Sequence, residues 1–236
     1  MELIRGRITN YQSVRNSANF VFTESDQATF GVIAIPAGLV GAAAQSAGML
    51  HSATSVEEEA DYVSFDLVES KVRGWVWRSP FSEGDEVEVV AKRQNEHFEA
   101  YGIVRPLDRM VALYPHCSRA LVPHIQNALK WIFYITVFTM IFLEVVVFFV
   151  GLGMHDLKYA FSAVTDSLVL LIPFFIFYGV MVGLLTKKWL PFVRLTERIF
   201  RCLEWQNYKN IDLVKSSKRK RAGNEPRGYG TFFFRY

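Results

Sequence analysis

The sequence predicts an α+β membrane protein. A small antiparallel β-barrel of OB-like kind comes first, then a two-helix transmembrane hairpin and a basic amphipathic C-terminal helix. Three observations carry that prediction. Residues 61–114 alternate apolar and polar in short runs divided by turn residues. Two apolar runs of membrane-spanning length lie within residues 131–186. Charge is also divided along the chain: 12 Lys and Arg against 16 Asp and Glu in residues 1–130, one Lys against three acids in 131–186, and 13 basic against four acidic residues in 187–236. At 236 residues the chain has room for one or two domains, and its 51% hydrophobic and 15% aromatic content excludes a disordered or low-complexity protein.

The cytoplasmic β domain is expected over 1–114. "DYVSFDLV", "KVRGWVWRS", "DEVEVVAKR", "HFEAYGIVR" and "RMVALY" read as successive strands, with Gly84-Asp85 and Gln94-Asn95-Glu96 at turns. "LIRGRITN" adds a first strand, giving a five- or six-stranded antiparallel sheet, closed or partly open as a barrel. Such barrels often bind oligonucleotides. Here the sheet is acidic, and Trp75, Trp77, Phe98 and Tyr101 lack a surrounding basic groove, so a protein-contact role is expected and nucleic acid is not.

An insertion at 27–56 contains no Asp, Glu, Lys or Arg and is dominated by Gly and Ala. Three readings stand: a small-residue helix packed on the barrel, a re-entrant or third membrane segment, and a segment that inserts only in an assembled state. A permanent third span would part the first strand from its sheet.

Residues 115–130 form a junction that opens with "PHCSR". His116, Cys117, Arg119 and the nearby His124 suggest chemistry, but each template fails. A cysteine phosphatase needs Arg six residues beyond the cysteine, where Pro123 stands. Zinc needs three or four ligands with close pairing, which His116, Cys117 and His124 do not supply, and His51 and His97 are remote in sequence. A Cys–His nucleophile pair needs an orienting group and a pocket. With only two cysteines, Cys117 and Cys202, reduced thiols are the simpler reading. No catalytic residue, metal or cofactor is expected, and the role of His116, Cys117 and Arg119 stays open.

The hairpin is expected over 131–186. Trp131 to Met154 carries one charge, Glu144, and Ser167 to Thr186 carries none. Each is long enough for a hydrocarbon core of about 30 Å. The N-terminus has no apolar core of the Sec signal type. Lys187, Lys188, Arg194, Arg198 and Arg201 follow the second span and Arg119 and Lys130 precede the first, while the connection "HDLKYAFSAVTD" has one Lys. The positive-inside rule puts both termini in the cytoplasm of a multi-pass protein. Glu144 would sit near mid-depth, level with Tyr178, where an acid is costly and marks a proton or ion path by default. Gly179 and Gly183 form a G-x-x-x-G pair that permits close helix approach and a homo-oligomer.

The basic juxtamembrane helix and tail fill 187–236. Phe192, Leu195, Ile199 and Leu203 recur at helical spacing, with Arg194, Arg198 and Arg201 largely off that stripe, as in a helix lying on an anionic lipid surface. Lys215–Arg221 holds five basic residues in seven positions. "GYGTFFFRY" reads as a short aromatic strand or docking tail, or as packed on the N-terminal domain.

Several strings together resemble a family. "ATFGVIAIPAGLVG", "SVEEEADYVSFDL", "GWVWRSPFSEGDEVEV", "YGIVRPLDRMVALYPHCSR", "WLPFVRLTERIFR", "IDLVKSSK" and "FFFRY" are similar to Gram-negative bacterial two-span membrane proteins described as type VI secretion system effectors. The resemblance covers almost the whole chain. It implies interbacterial competition and the inner membrane, and it brings no catalytic residues with it. The expected function is a non-enzymatic effector acting at a target membrane by insertion, assembly or permeabilisation. The alternative is an immunity or accessory protein that anchors a partner-binding domain, and a thiol enzyme at Cys117 ranks third. Expected partners are the lipid bilayer and a secretion component, cognate toxin or immunity protein.

Overall fold

The computed structural model describes residues 1–18, 20, 58–68, 70–94, 96–154, 157–221, 223 and 225–236. The 27–56 insertion and its three readings lie outside the described residues. Among the described residues, eight strands form one sheet: β1 (Glu2–Arg7), β2 (Thr9–Ala18), β3 (Glu58–Leu67), β4 (Ser70–Val76), β5 (Glu86–Arg93), β6 (Phe98–Arg105), β7 (Met110–Leu113) and β8 (Phe234–Arg235). Their order is β1-β5-β6-β4-β3-β2, with β7 on β6 and β8 on β7.

The expected first strand divides at Ile8. That residue is fully buried, receives the Gly84 N–H and donates its own to Asp85. β1 then pairs with β5 while β2 pairs with β3. The sheet curls but no ladder joins β1 to β2, so among the described residues the barrel is not closed, and the strand order does not establish an OB-like barrel. Nor is it purely antiparallel. β4 runs parallel to the first half of β6, where Gly74 lets the backbones meet: a Cβ there would run into the Ala100 carbonyl oxygen. β7 takes the second half of the same β6 edge.

A β-bulge in β6 sets up the rest of the molecule. Val90 pairs with Gly102 and Ala91 with Ala100, leaving Tyr101 as the extra residue. Alternation therefore shifts, so Ala100 and Ile103 both face the interior core with Val63, Phe65 and Leu67. Tyr101 and Val104 face the other side, where a second core forms with Val90, Val111 and Leu113.

Among the described residues, two helices are long and apolar enough to cross a membrane. They belong to α1 (Leu121–Met154) and α3 (Leu171–Cys202), and their outward side chains are uncovered, Phe138 being 72% exposed and Ile172 65%. The connection between them is itself helical: α2 (Leu157–Ser167) runs into a 3₁₀ turn at Leu168–Leu170.

α3 does not stop where its apolar run stops. Its last turns bury Val193, Thr196, Ile199 and Phe200, and Ile199 and Phe200 join the second core. The stripe expected to lie on lipid is therefore covered by the sheet: Leu203 is buried and Phe192 and Leu195 are partly buried against that core. Arg194, Arg198 and Arg201 point outward and are exposed. The tail then returns. α4 (Leu213–Arg219) is capped by Asp212, whose Oδ1 accepts from the Lys215 N–H at 3.0 Å. Tyr229 and Phe233 enter the first core and Phe234 the second, so "FFFRY" is both strand and packed tail.

Gly102 is the seat of α3. A Cβ there would lie 2.9 Å from Leu113 Cδ2 and 3.1 Å from Ile199 Cγ2. Gly102→Val is expected to destabilise the domain by about 1–3 kcal/mol, as overpacking does. Thermal unfolding in detergent should fall, and limited proteolysis should open the chain near residues 187–210 first.

Candidate functional site

The junction between β7 and α1 is tied to β6, α3 and the returning tail by hydrogen bonds. Tyr114 N–H donates to Tyr101 O at 2.9 Å, Cys117 N–H to Tyr114 O at 3.1 Å, and His116 takes φ +67° between them. That left-handed conformation is uncommon for a non-glycine residue and is held here by the contacts of its ring.

The His116 imidazole sits in an aromatic cage. Its centroid is 4.7 Å from both Trp77 and Trp189 and 5.2 Å from Phe192, each near edge-on. Its Nε2 lies 2.6 Å from Glu58 Oε2. Burial holds the imidazole below its ordinary pKa, outweighing the opposite pull of the Glu58 carboxylate. A neutral ring then donates Nε2–H to Glu58.

Cys117 turns the other way, into the second core, and is 1% exposed. Its Sγ donates to Phe192 O at 3.6 Å, a carbonyl that Thr196 Oγ1 also donates to at 2.8 Å. Burial pushes the thiol up to about 12, so it is not a thiolate near neutrality. Both cysteines are free.

Arg119 ties the junction to the returning tail. It forms an antiparallel bridge with Asp212, and its Nε lies 3.4 Å from Asp212 Oδ2. Ala120 N–H donates to Ile211 O and Leu213 N–H to Ser118 O. α1 starts at once, its first N–H donating to Glu197 Oε1 of α3 at 3.2 Å, a carboxylate at a helix N-terminus. Pro123 is harmless in this first turn, where an N–H has no helical partner.

Beside the junction, between α1 and α3, lies a cavity of about 440 Å³. Trp77, Trp131 and Trp189 wall it, three of the five tryptophans. His116, Ser118, Arg119, His124, Asn127 and Thr186 are its polar lining residues. Arg119 Nε and His124 Nε2 are both buried; Nε is held by its 3.4 Å ion pair with Asp212, and the His124 ring meets the Thr186 backbone. Among the described residues, no three His, Cys, Asp or Glu side chains come together as a metal site.

The other sequence-predicted residues lie apart from this junction. Tyr178 OH is 3.0 Å from Thr139 Oγ1, which sets it level with Thr139, about 7.5 Å along the axis from Glu144 at 1.5 Å per residue. Glu144 is half-buried on α1. Gly179 and Gly183 face open space, with nothing within 4 Å of a Cβ built on either, so they do not pack α1 against α3. Lys187 and Lys188 are exposed on α3 beside the cavity. Sequence reasoning missed Glu58, Glu197 and Asp212 as partners of the junction, because each reaches it only through the folded return of the chain.

Comparison of the chain with family models, with curated proteins and with solved structures finds no match.

Two outcomes test this geometry. Maleimide labelling of the folded protein should modify Cys202 and spare Cys117, with both reacting after denaturation; rapid reaction of Cys117 would contradict its burial. For His116, a folded pKa below the ordinary value of about 6.5 means the unfolded chain binds the proton more readily. Its stabilising contribution is therefore intact above about pH 6.5 and is lost as pH falls from there toward the lowered folded value. The melting temperature should drop between about pH 7.5 and pH 5.5, and His116→Gln should flatten that drop.

Proposed function

We propose that this chain is an integral inner-membrane protein of type VI interbacterial competition, an effector that acts on the bilayer without covalent chemistry. The observation that carries this reading is the uncovered apolar surface of α1 and α3, which a protein in water would have to bury. Both ends of the chain contribute to one sheet domain, which supports a hairpin with the two termini on the same side. The exposed Lys187, Lys188, Arg194, Arg198 and Arg201 support the cytoplasmic side. The buried, high-pKa thiol of Cys117 supports a role without a nucleophile. The type VI assignment rests on the resemblance of the quoted strings.

A second reading has its own support. α3 runs unbroken from the apolar run into the second core, which would hold the sheet domain at a fixed height above a bilayer. That suits an immunity or accessory protein presenting a partner-binding surface to a secretion component or cognate toxin. Open space over Gly179 and Gly183 also leaves room for a homo-oligomer through that face.

Inducible expression in a Gram-negative host with a voltage-sensitive dye separates the two. The effector reading expects loss of membrane potential and of growth, both abolished when residues 131–186 are replaced by an unrelated inert hairpin. Unchanged potential and growth at full expression would reject it in favour of the resident protein.

A further inference from the structure

The cavity beside the junction has a composition that the anchoring of a hairpin does not need. Its polar residues are Ser118, Arg119, His124, Asn127 and Thr186, together with the His116 ring already bonded to Glu58. Among the described residues no Asp or Glu lines it. Arg119 is held loosely by Asp212, its Nε 3.4 Å from Oδ2, and the His124 ring meets the Thr186 backbone. A guanidinium, an imidazole and the neutral groups of Ser118 and Asn127, with no carboxylate on the wall, make this end rich in donors and suit an acceptor-rich occupant.

The cavity is also long and two-ended. Ile135 lies 11 residues beyond His124 on α1, about 16 Å at 1.5 Å per residue. At that end the walls are Trp131, Ile135, Val182 and Leu185, all within the apolar runs. A free anion would use only the polar end. An amphiphile with an anionic head would use both.

We propose that this cavity is a binding site for an anionic phospholipid. Its phosphate meets Arg119 and His124, and its acyl chain leaves along Ile135 and Val182. The site rests on the membrane reading above and places its polar end at headgroup level, beside Trp131 and Trp189.

The test uses the full chain purified in a neutral detergent, with tryptophan emission and lipid retention in native mass spectrometry as readouts. Phosphatidylglycerol should bind in preference to phosphatidylcholine, and inorganic phosphate at equal concentration should give no response. Arg119→Gln combined with His124→Gln should weaken phosphatidylglycerol about tenfold or more, as loss of charged hydrogen bonds does. Because Arg119 also pairs with Asp212, Ala128→Phe provides a second variant that fills the cavity and leaves that pair in place. It should exclude the lipid while keeping the melting temperature. Equal retention of the two lipids, or wild-type binding by both variants, would overturn the site. A response to inorganic phosphate matching that to phosphatidylglycerol would overturn the lipid assignment. Flotation with phosphatidylcholine vesicles keeps the premises apart: a chain that floats but shows no preference refutes the site alone, and one that does not float refutes the membrane reading.

Discussion

The packing of the last turns of α3 across the outer face of β5, β6 and β7 is the contact on which the remaining structure depends. Ile199 rests on Gly102, where a Cβ would lie 3.1 Å from its Cγ2, and Phe200 joins Val104 and Leu213 in the second core. Each large side chain buried there contributes about 1.5–3 kcal/mol, so the helix end is an integral part of the core. The bulge at Tyr101 makes the contact possible, since without its shift in alternation β6 would present a different set of side chains to the helix.

The junction follows from that contact. Once α3 lies on the sheet, the Phe192 carbonyl is within reach of Cys117, Trp189 closes the cage around His116, and Glu197 meets the start of α1. The returning tail then closes the junction from the other side through Asp212, Ser118 and Ile211. A displacement of α3 along its axis would have to break several of these links together. Mechanically, the hairpin and the β domain are therefore coupled at one place, and the donor-lined cavity sits beside it.

Much of this was legible in the sequence wherever a residue's environment is set by its neighbours along the chain. The strands of 61–114 are visible because Val63, Phe65 and Leu67 alternate with Tyr62, Ser64 and Asp66, and the two apolar helices are visible as uninterrupted runs. β2 was not visible as a separate strand, because most of its side chains face solvent on both sides and leave no alternation to read. The helical spacing of Phe192, Leu195, Ile199 and Leu203 correctly marks an apolar face. Periodicity cannot say whether lipid or protein covers that face, and here protein does.

The sequence by itself determined the two apolar helices, the strand-rich region before them, the amphipathic turn of 191–203 and the weakness of every catalytic template at Cys117. Tertiary structure alone decided that among the described residues no ladder closes the sheet, that the tail completes both cores, and that His116 is caged against Glu58. It also brought Arg119 and His124 to the wall of one cavity. The physical reason is range. Periodicity and hydropathy act within a few residues, whereas Glu58 with His116, Gly102 with Ile199 and Arg119 with Asp212 are far apart in the chain and meet only when the whole of it has closed on itself.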